Sequence, residues 1–63
     1  MTKANEILEA YARTEDSKEA YLVARELAVE ECLGRMSCAT GGEVYWFEDG
    51  SEIRIDKDII YVI

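Results

Sequence analysis

The sequence predicts an α+β domain in which two N-terminal helices pack on a three-stranded antiparallel β-meander. Three observations predict it. Apolar residues recur at helical spacing through the first half of the chain. In the last third, Asp49-Gly50 separates two alternating apolar runs, a strong hairpin signal. A second polar pair, Lys57-Asp58, follows at the distance of one further strand. With 63 residues, the chain has room for a single domain, residues 1–63.

The first helix is expected over residues 3–12, with Thr2 as N-cap. Ala4, Ile7, Leu8 and Tyr11 form one apolar face at i, i+3, i+4 and i+7, and Glu6, Glu9 and Arg13 lie opposite. Glu9 and Arg13 stand in the favourable order for an i, i+4 ion pair. The Arg13-Thr14-Glu15 connection is so short that the next helix must fold back on the first.

The second helix is expected over residues 16–36. Asp16 is its N-cap, and Glu19 stands three places on, a capping-box spacing. Ala20, Val23, Ala24, Leu27 and Ala28 share one side, and the small alanine ridge lets Leu8 and Tyr11 come close. Leu22, Val29, Cys32, Leu33 and Met36 fall on a second, displaced side. A helix apolar on two sides is usually buried on both, so it is expected between the first helix and the sheet. Ser37 to Gly42 reads as a loop ending in the flexible Gly41-Gly42.

Strands are expected at 43–48, 51–56 and 59–63. A two-residue Asp49-Gly50 turn places Trp46 opposite Ile53 and Val44 opposite Ile55. A tight turn at Lys57-Asp58 pairs Ile55 with Ile60 and Ile53 with Val62. Val44, Trp46, Ile53, Ile55, Ile60 and Val62 would then face the helices. Tyr45, Phe47, Arg54, Ile59, Tyr61 and Ile63 would line the other face with Glu43, Glu52 and Asp56, and Tyr45, Arg54 and Tyr61 would form a row across it.

Fourteen acidic residues against seven basic ones give a net charge of −7, and no basic cluster offsets it. Such a surface repels phosphate backbones, which argues against direct nucleic-acid binding. No apolar run approaches the ~20 residues of a membrane span, and the first residues lack a signal-peptide pattern, so a soluble, cytoplasmic protein is expected. Cys32 and Cys38 have neither zinc nor redox spacing, and there is no histidine to complete a metal site or act as general base. They read as free thiols in a reducing compartment. Serines Ser17, Ser37 and Ser51 have no base in view. The chain is therefore expected not to be an enzyme and to hold no cofactor and no metal.

What remains is binding. Glu19, Glu26 and Glu30 recur at i, i+7 and i+11 and fall within ~40° of one another around the second helix. They form an acidic ridge that could imitate the phosphates of a nucleic acid and occupy a basic groove on a protein partner. In size, acidity and lack of catalytic groups the chain is similar to small phage-encoded inhibitors, including nucleic-acid mimics; the similarity is compositional and assigns no residue a role. The first expectation is a small acidic interaction module, an inhibitor or adaptor, that meets a basic protein through Glu19, Glu26 and Glu30 or through Tyr45, Arg54 and Tyr61. The alternative is a self-associating structural or regulatory protein. Its last strand, with Ile59, Tyr61 and Ile63, is apolar, uncharged and unguarded at its edge, and would pair with a second copy.

Overall fold

Thr2 opens the first helix: its Oγ1 accepts from the Asn5 amide at 3.2 Å. The computed structural model describes residues 1–63, and in it this helix, α1, spans Lys3–Arg13. The second helix, α2, spans Ser17–Glu31, and Asp16 Oδ1 accepts from the Lys18 and Glu19 amides at its start. Four strands follow: β1 (Gly34–Ser37), β2 (Glu43–Trp46), β3 (Glu52–Ile55) and β4 (Ile60–Val62). They form one antiparallel sheet in the order β1-β2-β3-β4. Both helices lie on one face of it, α1 packing along α2 and over β4.

The sheet thus has four strands where three were expected, and the extra one comes from the end of the expected second helix. That helix stops five residues short of Met36. Cys32 is already extended (φ −73°, ψ 152°), and the Leu33 amide bonds the Trp46 carbonyl at 2.9 Å instead of continuing the helix. Glu30 and Glu31 occupy the last turn with no cation there, which opposes the negative end of the helix dipole. Gly34 to Ser37 pairs instead with Trp46 to Glu43, so the backbone groups of this segment are satisfied in a β-ladder. Leu33 and Met36 consequently leave the helix pattern, and Leu22 and Val29 face solvent. The helix is buried on its alanine side alone, through Ala20, Ala24 and Ala28.

The β2–β3 register differs by one residue from the expected pairing. Tyr45 faces Ile53 and Trp46 faces Glu52. A two-residue type I′ turn needs positive φ at both central positions, but only Gly50 has it (φ 87°). The loop is Glu48-Asp49-Gly50, closed by the Gly50 amide on the Phe47 carbonyl and the Phe47 amide on the Ser51 carbonyl, both at 3.0 Å. Asp49 explains the choice. Its Oδ1 accepts from the Ser51 amide at 2.9 Å, an Asx turn, and its Oδ2 accepts from the Lys3 amide at 2.7 Å. Ser51 Oγ accepts from the Ala4 amide at 3.1 Å. The hairpin loop therefore caps the free amides at the start of α1 from 46 and 47 residues away. The one-residue shift turns Tyr45 and Phe47 inward and Val44 and Trp46 outward. The β3–β4 pairing is as expected, with Ile53 opposite Val62 and Ile55 opposite Ile60. The core comprises Ala4, Ile7, Ala24, Ala28, Tyr45, Phe47, Ile53 and Ile55, flanked by Leu8, Tyr11, Leu27, Ile60 and Val62.

The Asp49 bonds predict an acid response. Hydrogen bonds from Ser51 and from the Lys3 amide hold the Asp49 carboxyl down at about 2, against 3.8 ordinarily. A lowered folded-state pKa contributes stability that is complete above pH 3.8 and lost as the pH falls toward 2. Asp49→Asn keeps the acceptor and removes the charge. The variant should melt at lower temperature than wild type near neutral pH, and the gap should close between pH 4 and about 2 in thermal melts followed by circular dichroism.

Candidate interaction surfaces

Three places combine side chains that a ligand or partner could use. The first is the solvent side of α2. Glu19, Glu26 and Glu30 are all exposed there, as their spacing requires, and none forms an ion pair. Arg25, next to Glu26 in sequence but on a different side of the helix, reaches to the sheet, where its Nε lies 3.8 Å from Glu43 Oε1. Leu22 and Val29 run beside the carboxylates and, with Arg25, Glu26 and Glu30, line a shallow groove.

The second place is the junction that draws Arg25 away. Glu43 also meets Arg35 of β1 at 3.8 Å, and its Oε1 accepts from the Tyr45 hydroxyl at 2.7 Å. One carboxylate thus links α2, β1 and β2. Tyr45 is 1 % exposed, so it cannot belong to a partner-binding row with Arg54 and Tyr61; the register shift has moved it into the core. Glu43 likewise faces Ile55, not Asp56. Burial first, and the Glu43 carboxylate next, push the Tyr45 phenol up to about 12 from 10.0. A raised folded-state pKa contributes stability that is complete below pH 10 and lost as the pH climbs toward 12. Tyr45→Phe should abolish this component of alkaline unfolding, which a comparison of the two proteins' denaturant midpoints across that range reads directly.

The third place is the outer sheet face. Alternation along the strands puts Gly34, Met36, Val44, Trp46, Glu52, Arg54, Tyr61 and Ile63 on the side away from the helices. The row that crosses it is Met36, Val44, Arg54, Tyr61, with Val44 where Tyr45 was expected. Arg54 is tied down: its Nε donates to Cys38 Sγ at 3.4 Å, and its Nη2 donates to Thr40 Oγ1 at 3.2 Å and to the Gly41 carbonyl at 2.7 Å. The guanidinium carbon lies 5.9 Å from the centre of the Tyr61 ring. Arg54 therefore anchors the β1–β2 loop across the sheet. Trp46 lies over Gly34; a Cβ there would collide with Cζ2 and stand 2.8 Å from Cε2 of the indole. Ile59, Tyr61 and Ile63, expected to drive self-association, are exposed.

No protein-family model, curated protein or solved structure matches this chain. What the surfaces can do is therefore read from their chemistry. The groove between α1 and α2, lined by Ile7, Ala10 and Leu27, has its cations already engaged, Lys3 with Glu31 and Arg13 with Glu9. No group of three or more acidic or cysteine side chains is placed to hold a metal ion. No helix is long and apolar enough to cross a membrane. Cys32 and Cys38 are half-buried free thiols.

The sequence reading missed Met36, Val44 and Trp46 as surface residues. The available signal was Val44-Tyr45-Trp46-Phe47, a run apolar on both faces, which satisfies either register equally and so discriminates neither.

Proposed function

We propose that this chain is a non-catalytic protein-interaction module that binds a protein with a basic surface, acting as an inhibitor or adaptor in the manner of a nucleic-acid mimic. The observation that carries the reading is the unpaired, exposed trio Glu19, Glu26 and Glu30 on α2, with no cation three or four residues away along the helix to compensate it. At 1.5 Å rise per residue the three carboxylates are spaced roughly 10 and 6 Å along the helix, close to three and two of the ~3.4 Å axial steps between phosphates of one strand. The exposed Leu22 and Val29 beside them add an apolar strip that a purely electrostatic surface would lack. The free thiols suit a reducing cytoplasm.

The test is capture of partners on the immobilised protein, identified by mass spectrometry, followed by association kinetics with the purified partner across a salt series. The on-rate should be fast at low salt and fall steeply as the Debye length shrinks below ~8–10 Å. A partner that is acidic, or an on-rate indifferent to salt, would remove the proposal.

A second reading, self-association, is favoured by a separate observation: the apolar outer sheet face, which the acidic ridge does not touch.

A further inference from the structure

We infer that a second copy of this chain covers the outer sheet face, the two sheets packing face to face about a twofold axis. Four observations carry this. Met36 and Ile63 are each 63 % exposed, Tyr61 43 % and Trp46 38 %; Val44 joins Met36 to Trp46 on β1 and β2, and Tyr61 and Ile63 share the same face beyond Glu52 and Arg54 of β3. An apolar patch of this kind on a small domain marks a contact surface.

The distribution of charge then selects the occupant. The only charged residues on this face are Glu52 and Arg54, one of each sign, and neither forms an ion pair within the chain. The excess of seven negative charges therefore lies elsewhere. Two copies approaching through their helices bring Glu19, Glu26 and Glu30 together and repel. Two copies approaching through their sheets meet surfaces that carry no net charge, with apolar side chains on either side of β3, and a twofold axis offers each Arg54 the other copy's Glu52.

Shape agrees with this. The Trp46 ring lies over Gly34, so no side chain projects on its β1 side, and that part of the surface is low enough to pack at the ~10 Å spacing of stacked sheets. A standard interface takes about 800 Å² from each partner. That is about a fifth of the 4233 Å² accessible surface of the chain.

Strand order finally separates this arrangement from pairing at the β4 edge. Met36 and Trp46 belong to β1 and β2, at the far side of the sheet from β4. Pairing two β4 edges would leave both exposed; stacking the faces covers them. The resulting dimer carries an acidic ridge on each outer side, which makes it bivalent toward a basic partner.

Sedimentation from low micromolar to about 1 mM should show conversion to twice the 7.2 kDa mass of the chain. Trp46 emission should move to shorter wavelength over the same range. Added salt should strengthen the association, because it screens repulsion between the −7 chains. Binding of a basic partner should respond to salt in the opposite sense, so failure of either idea is recognised separately. Met36→Glu should preserve the circular dichroism spectrum and raise the dimer dissociation constant at least tenfold. A monomer throughout, or a dimer indifferent to Met36→Glu with unchanged Trp46 emission, would overturn the inference; the second result would point to the β4 edge. The wild-type emission series needs no variant, so the question stays decidable even if Met36→Glu folds poorly.

Discussion

Tyr45→Ala should unfold the domain, while Trp46→Ala, one residue away, should leave it folded. Tyr45 is 1 % exposed and packs among Ile7, Ile53, Ala24 and Phe47 in the core cluster. Truncating a large aromatic there removes its burial and leaves a cavity, at a cost of about 3–5 kcal/mol. The whole stability of a chain this long is about 3–9 kcal/mol at ~0.05–0.15 kcal/mol per residue. The truncation also leaves Glu43 without the hydroxyl that donates to it, although Arg25 and Arg35 remain. Trp46 rests on Gly34 at the surface and is 38 % exposed, so its loss should cost about 1–2 kcal/mol. Urea unfolding followed by far-ultraviolet circular dichroism distinguishes the two. If Trp46→Ala proves the more damaging, β2 pairs with β3 through the two-residue Asp49-Gly50 turn after all.

That one-residue question shows what was legible in the sequence and why the rest was not. Local signals read correctly where a single interaction decides them. Thr2 and Asp16 cap the helices through their own side chains, Arg13 meets Glu9 at 3.7 Å, and β4 pairs with β3 as the Lys57-Asp58 turn requires. The errors lie where a distant partner decides. Asp49 and Ser51 form a loop suited to the amides of Lys3 and Ala4, and nothing within the hairpin itself announces that demand. Gly34 to Ser37 becomes a strand because β2 offers it a ladder, and a glycine there lets Trp46 lie flat. Read locally, the same residues extend a helical pattern. Because strand side chains alternate with period two, the Asp49 choice moved every residue of β2 to the opposite face. It took Tyr45 out of the candidate site and put Val44 and Trp46 on the outer face that Met36, Tyr61 and Ile63 share. The acidic ridge survived unchanged, because helical position alone places Glu19, Glu26 and Glu30 on the solvent side.

Reversing Glu26 and Glu30 together, as Glu26→Lys with Glu30→Lys, should weaken binding of a basic partner at least tenfold, equivalent to about 1.4 kcal/mol or more, and should leave the fold intact. Both side chains are exposed and unpaired, so neither reversal breaks an intramolecular bond. Together they replace the one Glu26–Glu30 i, i+4 repulsion with a Lys–Lys one, so helix stability should change by no more than a few tenths of a kcal/mol. The matched control is Glu6→Lys with Glu9→Lys on α1. It changes net charge by the same amount and sits on an exposed face of the other helix, at the cost of the exposed Glu9–Arg13 pair, which is worth little. Long-range steering depends chiefly on net charge, so both double variants should slow association at low salt. Only the α2 variant should also speed dissociation, because close contacts set the off-rate. Equal effects on both rates would mean that total charge, not a shaped ridge, drives binding. An affinity unchanged by either variant would transfer the partner contact to the sheet face around Trp46 and Tyr61, where it would compete with the second copy.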